Sequence, residues 1–122
     1  MGDEGLATTV VRHLDYRLLE VAGEIDMSTA PRLREQIFGL IEECPQPLLV
    51  DLSGVSFCDS TGLNLAAAAR KHAYHYGVGF AFVGLNARVD RVFRLTGMHK
   101  LIPTYATLPE AAFDLIQASL PD

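Results

Sequence analysis

Short apolar runs alternate with segments of helical period along most of this chain, and that alternation leaves few folds open. Residues 47–53, "PLLVDLS", and 79–85, "GFAFVGL", are nearly continuous apolar stretches of strand length, the pattern of strands buried on both faces. Each is followed by a helical segment. Between residues 32 and 43, Leu33, Ile37, Leu40 and Ile41 fall at i, i+4, i+7 and i+8, the stripe of an amphipathic helix, and Pro45 and Pro47 stop it. A second helix begins near Ser60 and ends at Gly77. Asn86 is placed to cap a third, with Val89, Val92 and Phe93 on one face and Gly97 as its terminator. "LIPTY" reads as an edge strand, and Thr107 with Glu110 forms a capping-box pattern opening a terminal helix through Leu108, Ala112, Leu115 and Ile116. Upstream, "TTVVRHL" and "YRLLEVAGEI" are β-rich runs separated by Asp15, suited to an antiparallel hairpin. Strands alternating with helices imply right-handed βαβ crossovers, so the expected class is α/β with a mainly parallel sheet and an antiparallel N-terminal edge.

The 122 residues, 49% of them hydrophobic, suffice for one domain, expected to span residues 1–122. A net charge of -5, from 15 acidic and 10 basic residues without a basic cluster, argues against nucleic acid as a partner. The N-terminal "MGDEGLATTV" begins acidic and lacks an apolar core of signal-peptide length, and no run reaches the length of a membrane span, so a soluble, cytoplasmic protein is expected. Leu6 stands where N-terminal acylation requires serine or threonine. Cys44 and Cys58 have no CxxC spacing and read as reduced thiols acting as small hydrophobes.

Function is therefore sought where strands hand over to helices. In "VSFCDSTGLNLAAAA", residues 55–69, Asp59, Ser60 and Thr61 crowd the start of a helix and Gly62 lies inside its first turn, where glycine weakens a helix. One oxygen suffices to cap a helix, and capping is the commoner duty of such a serine. The cluster also admits another reading. A hydroxyl at a helix N-terminus can become a phosphoester, favoured by the free amides and the dipole and opposed by the charge of Asp59.

Residues 48–72, "LLVDLSGVSFCDSTGLNLAAAARKH", resemble the central motif of STAS domains, specifically the stand-alone bacterial anti-sigma-factor antagonists. Residues 18–37, "LLEVAGEIDMSTAPRLREQI", resemble that family's second strand, its glycine-acidic-aliphatic-aspartate turn and its first helix. Residues 87–111, "ARVDRVFRLTGMHKLIPTYATLPEA", resemble its short helix and closing segment. The resemblance implies a four- to five-stranded, mainly parallel sheet with about four helices. It further implies a partner switch: the unphosphorylated protein binds an anti-sigma factor, which is also a serine kinase, and so frees the sigma factor; phosphorylation breaks that complex and a serine phosphatase restores it. By the same resemblance the phosphosite is Ser60, with Asp59, Thr61, Gly62, Gly23 and Asp26 on the partner-binding surface. It implies no enzymatic activity, no cofactor and a monomer or weak dimer.

Other readings remain to be set beside it. A STAS domain of this size also suits a scaffold subunit of a larger signalling complex or a ligand-binding module. A hydrolytic Ser60 needs a base within reach, yet His72 and His75, on the same helix, lie about 18 and 22 Å along its axis, and G-x-S-x-G is absent. His13 and His99 stay open as bases from the sequence alone. His72 and His75 lack a third metal ligand nearby, so no metal site is expected and a solvated helix face is the better account. No glycine-rich nucleotide loop is present.

Overall fold

The computed structural model describes residues 5–119. In chain order the elements are β1 (Leu6–Arg12), β2 (Arg17–Ile25), α1 (Ala30–Glu43), β3 (Leu48–Cys58), α2 (Ser60–Tyr76), β4 (Phe80–Val83), α3 (Ala87–Thr96), α4 (Met98–Leu101), β5 (Thr104–Tyr105) and α5 (Leu108–Ser119). The five strands lie side by side in the order β1-β2-β3-β4-β5. β1 and β2 pair antiparallel, from Leu6 opposite Gly23 to Arg12 opposite Arg17, and every later pair is parallel.

Each parallel crossover steps one strand in the same direction, and right-handedness then sends α1, α2 and α3 to the same face of the sheet. Alternation along the strands sorts the side chains accordingly. Leu19, Val21, Val50, Leu52, Phe80 and Phe82 enter the core beneath the first three helices, together with the expected α1 stripe of Leu33, Ile37, Leu40 and Ile41. The intervening Leu18, Leu49, Ala81 and Val83 meet Ala111 and Ala112 of α5 on the other face. Alanines 66, 69 and 73 are the buried positions through which α2 lies low on the sheet.

The signals at Asn86, Gly77 and Gly97 act as read from the sequence, whereas Thr107 and Glu110 meet side chain to side chain. Asn86 Oδ1 accepts from the Val89 amide at 3.0 Å, while Gly77 and Gly97 close α2 and α3 in left-handed conformations. The Thr107 hydroxyl donates to the Glu110 carboxylate at 2.9 Å. Some boundaries differ from the sequence reading: β1 lies two residues earlier than "TTVVRHL", at Leu6–Arg12. β3 continues to Cys58, well past residue 53, because β2 gives it partners as far as Ile25. The "LIPTY" segment forms a strand only at Thr104–Tyr105, since its leucine belongs to the additional short helix α4 and Ile102 is buried against the core.

Arg17, unremarked in the sequence, is among the most buried side chains at 1% exposure. Its guanidinium reaches the C-terminal end of α1 and donates to the carbonyls of Leu40, Cys44 and Gln46. A cation there satisfies carbonyls that a helix end leaves without partners and lies at the negative pole of the helix. It fixes α1 against the start of β2.

Candidate functional site

The candidate site lies where β2 and β3 end together. Twice along the β2–β3 ladder the register slips, between Glu20 and Ala22 and between Gly23 and Glu24, and each slip adds a residue on the β3 side. Such bulges bend a strand and re-aim the chain beyond them. Here Ile25 ends opposite Cys58, and the Asp59 amide donates to the Ile25 carbonyl at 3.2 Å, bringing Asp26 and Asp59 to adjacent strand ends.

Asp59, rather than Ser60, is the N-cap of α2. Its Oδ1 accepts from the Thr61 amide at 2.9 Å and from the Thr61 hydroxyl at 2.5 Å. Ser60 is the first helical residue, exposed, and its hydroxyl makes no hydrogen bond to another described residue. The two hydroxyls are therefore unequal: Thr61 is half-buried and committed to Asp59, whereas Ser60 is open to an incoming group. Asp26 braces the turn that leads into α1, whose N-cap is Thr29. Its carboxylate accepts from the Ser28 hydroxyl at 2.7 Å, the Ser28 amide at 2.9 Å and the Thr29 amide at 3.3 Å, and its carbonyl accepts from the Ala30 amide. These bonds, that of the Ser28 hydroxyl foremost, hold its carboxyl below the ordinary aspartate range.

The two glycines of the site have internal reasons. Gly23 has φ +115°, and a Cβ there would stand 2.1 Å from the Gly5 carbonyl oxygen, so side chains are excluded both by backbone conformation and by contact. Gly62 is buried. A Cβ on it would lie 2.4 Å from Cys58 Sγ and 2.9 Å from Ile25 Cγ2, so its absence seats the first turn of α2 on the ends of both strands. The family resemblance implies a surface shared by these residues; in the structure Gly23 and Gly62 permit close backbone packing, Ser60 is exposed, and Asp26, Asp59 and Thr61 are partly exposed. Burial, with Asp59 adjacent, pushes the Cys58 thiol up to about 11.

Beside Ser60 the N-terminal turns of α1 and α2 enclose an open groove lined by Met27, Pro31, Arg34, Thr61 and Asn64. Met27 is 76% exposed, and Arg34 lies 4.5 Å over the Phe38 ring. Nothing local in the sequence singles out Arg34 and Asn64, although the same-face crossovers of α1 and α2 already require their N-termini to be neighbours. The remaining histidines have structural partners. His72 stacks on Phe38 with centroids 4.1 Å apart and lies 2.7 Å from the Glu42 carboxylate, so the solvated helix face expected from the sequence holds for the exposed His75 and not for His72. His13 stacks on Tyr16 at the hairpin end of the sheet, and His99 Nδ1 lies 3.3 Å from the Phe93 carbonyl. Among the described residues no helix is long and apolar enough to cross a membrane.

The antiparallel hairpin leading into a parallel sheet, with a serine opening an acid-capped helix at the β3–α2 turn, is the arrangement of a STAS domain: the profile of that family matches residues 7–111, and the chain belongs to it. Its relatives at 30% identity or more include anti-sigma factor antagonists. It is 32% identical over 108 residues, 88% of each chain, to the anti-sigma-F factor antagonist RsfB of Mycobacterium tuberculosis. Identity is also 32% to an anti-sigma-B factor antagonist of Staphylococcus epidermidis, over 75% of this chain and 85% of the relative. The crystal structure of an anti-sigma factor antagonist from Mycobacterium paratuberculosis superposes with a TM-score of 0.80 at 35% identity, covering 90% of this chain and 93% of the other. SpoIIAA in its unphosphorylated form, at 19% identity and TM-score 0.74 over 94% of this chain and all of its own, shares the fold.

Proposed function

We propose that this protein is an anti-sigma-factor antagonist acting by partner switching, a binding regulator and not a catalyst. In its unmodified state the surface formed by Asp26, Asp59, Ser60 and Thr61, shaped by Gly23 and Gly62, docks on an anti-sigma factor in the cytoplasm and releases the sigma factor. That anti-sigma factor, acting as a serine kinase, phosphorylates Ser60 and dissociates, and a serine phosphatase resets the turn.

One observation carries this reading. Capping of α2 falls to Asp59, which accepts from Thr61, so the Ser60 hydroxyl stands exposed at a helix N-terminus with no hydrogen bond to another described residue. Modification there leaves the cap in place. It adds a charge of roughly -1.5 to -2 beside Asp59 and Asp26, in a surface that docking strips of water. A loss of about 4 kcal/mol from such a contact weakens binding roughly a thousandfold. The similarity to RsfB and to the staphylococcal antagonist supports an anti-sigma factor as the partner.

The test is incubation with ATP and each candidate anti-sigma kinase of the same genome, followed by intact-mass and peptide mass spectrometry, with Ser60→Ala in parallel. One phosphoryl group on Ser60, absent from the variant, together with lost binding of the phosphorylated form, is the expected result. If no kinase modifies the protein, or if the modified form binds as tightly as the unmodified one, the switch is refuted and a scaffold or ligand-binding role takes its place.

A further inference from the structure

We propose, building on the partner-switch reading, that the groove between the N-terminal turns of α1 and α2 takes an apolar side chain of the anti-sigma factor, and that Arg34 holds an acidic side chain beside it. Arg34 thereby determines which partner docks and in which register.

The groove is apolar and continuous with the turn that carries Ser60. Ala30 and Leu65 line it from the core, Met27 and Pro31 from the surface, and Thr61 joins it to the start of α2. Its volume of about 360 Å³ admits a side chain from outside. Met27, 76% exposed, is an adaptable apolar surface for such a visitor, and methionine and arginine are both enriched where proteins meet.

Among the described residues that line the groove, Arg34 alone is charged. Its guanidinium lies 4.5 Å over the Phe38 ring, itself stacked on His72, and among the described residues it has no hydrogen bond or ion pair. Arg12, Arg17, Arg70 and Arg94, by contrast, each donate to a carboxylate or carbonyl within the chain. The neighbouring acids serve other places. Glu35 lines a separate groove with Thr8 and Gln36, Glu42 meets His72, and Asp26 and Asp59 accept from the amides and hydroxyls of their own turns. Stacking on a ring restricts the arginine side chain while its planar edge keeps paired N–H donors for a carboxylate. The cation is thus ordered before a partner arrives, which favours binding.

Charge complementarity then describes the occupant. The surface is acidic at the strand ends, where Asp26 and Asp59 stand, and basic at Arg34, one turn along α1 from Ala30. A matching partner presents a basic group toward the strand ends and an apolar residue with a carboxylate toward the groove. A partner that docks displaced or reversed brings like charges together, and in this way mixed charge fixes register and rejects wrong partners.

The test uses the anti-sigma factor that phosphorylates Ser60 in the assay above. Its affinity for the unmodified full chain is measured by isothermal titration calorimetry with wild type, Arg34→Gln, Arg34→Glu and Met27→Ala, each shown to be folded by circular dichroism. Arg34→Gln is expected to weaken binding roughly thirtyfold, as loss of one member of a desolvated charge pair does, and Arg34→Glu further. Met27→Ala is expected to weaken it about fivefold. Surface Asp and Glu residues of the anti-sigma factor are then replaced by Arg one at a time, and one such change is expected to restore binding to Arg34→Glu. If wild type binds and Arg34→Gln binds within about twofold of it, the role of Arg34 is overturned while the switch stands. The same holds if Arg34→Glu alone weakens binding, which reports only a repulsion newly introduced, or if no reversed charge restores it. A wild-type chain that binds no anti-sigma factor removes the switch and this contact together. Sodium octanoate, an apolar carboxylate, is titrated in parallel: saturable octanoate binding that depends on Arg34, with the anti-sigma complex unaffected by its substitution, assigns the groove to a small ligand and overturns the proposal.

Discussion

Replacing Gly62 by alanine separates two accounts of the turn before α2. If glycine is merely an imperfection in the first turn, Gly62→Ala stabilises the protein by about 1 kcal/mol through helix propensity. The geometry requires the opposite. The new methyl would stand 2.4 Å from Cys58 Sγ and 2.9 Å from Ile25 Cγ2, and these belong to the ends of two different strands, so tilting α2 cannot relieve both. Overpacking of that kind costs about 1–3 kcal/mol, which leaves a net destabilisation of about 1 kcal/mol after the propensity gain. The assay is urea unfolding followed by circular dichroism, with Cys58→Ala and the double variant completing a cycle. Removing Sγ relieves the tighter contact only, so Gly62→Ala should cost less in the Cys58→Ala background, with a coupling of about 1 kcal/mol. A Gly62→Ala protein more stable than wild type, or a coupling of zero, refutes the packing argument.

Three further outcomes are expected. Arg17→Met keeps the apolar stem but leaves the carbonyls of Leu40, Cys44 and Gln46 without their donor, so unfolding should become easier by about 2–4 kcal/mol and amide exchange near the C-terminal end of α1 should quicken. Because the Asp26 carboxyl titrates below its unfolded value, the stability it lends is present above the unfolded pKa and disappears as pH falls through the folded one; Asp26→Asn should flatten the acid limb of a stability-versus-pH curve and leave the neutral region less stable. With its pKa near 11, Cys58 should alkylate far more slowly at pH 8 than a thiol in an unfolded peptide and accelerate toward pH 11, as followed by mass spectrometry.

Much of this molecule is legible because its signals are local. The period of Leu33, Ile37, Leu40 and Ile41, the cap at Asn86 and the terminators at Gly77 and Gly97 each depend on residues a few positions apart. The D-S-T-G turn is legible as a candidate site for the same reason. What escapes depends on distant partners. Nothing near Arg17 announces a buried guanidinium, since the carbonyls it serves lie more than twenty positions downstream. Gly62 reads as a weak point in a helix until Ile25 is brought beneath it, and His72 reads as solvated until α1 supplies Phe38 and Glu42. The "LIPTY" run misleads because an apolar stretch of five is compatible with a strand or with the end of a short helix followed by a buried connector.

The close seating of α2 on two strand ends has a kinetic consequence. A turn held by Asp59, by the Ile25 carbonyl and by contact across Gly62 surrenders its freedom when the chain folds, so little ordering remains to slow an encounter with a partner. On the proposed function, association would then proceed at a rate set by diffusion and orientation, and modification of the exposed Ser60 hydroxyl would be read out mainly as residence time: how long a complex lasts more than how soon it forms.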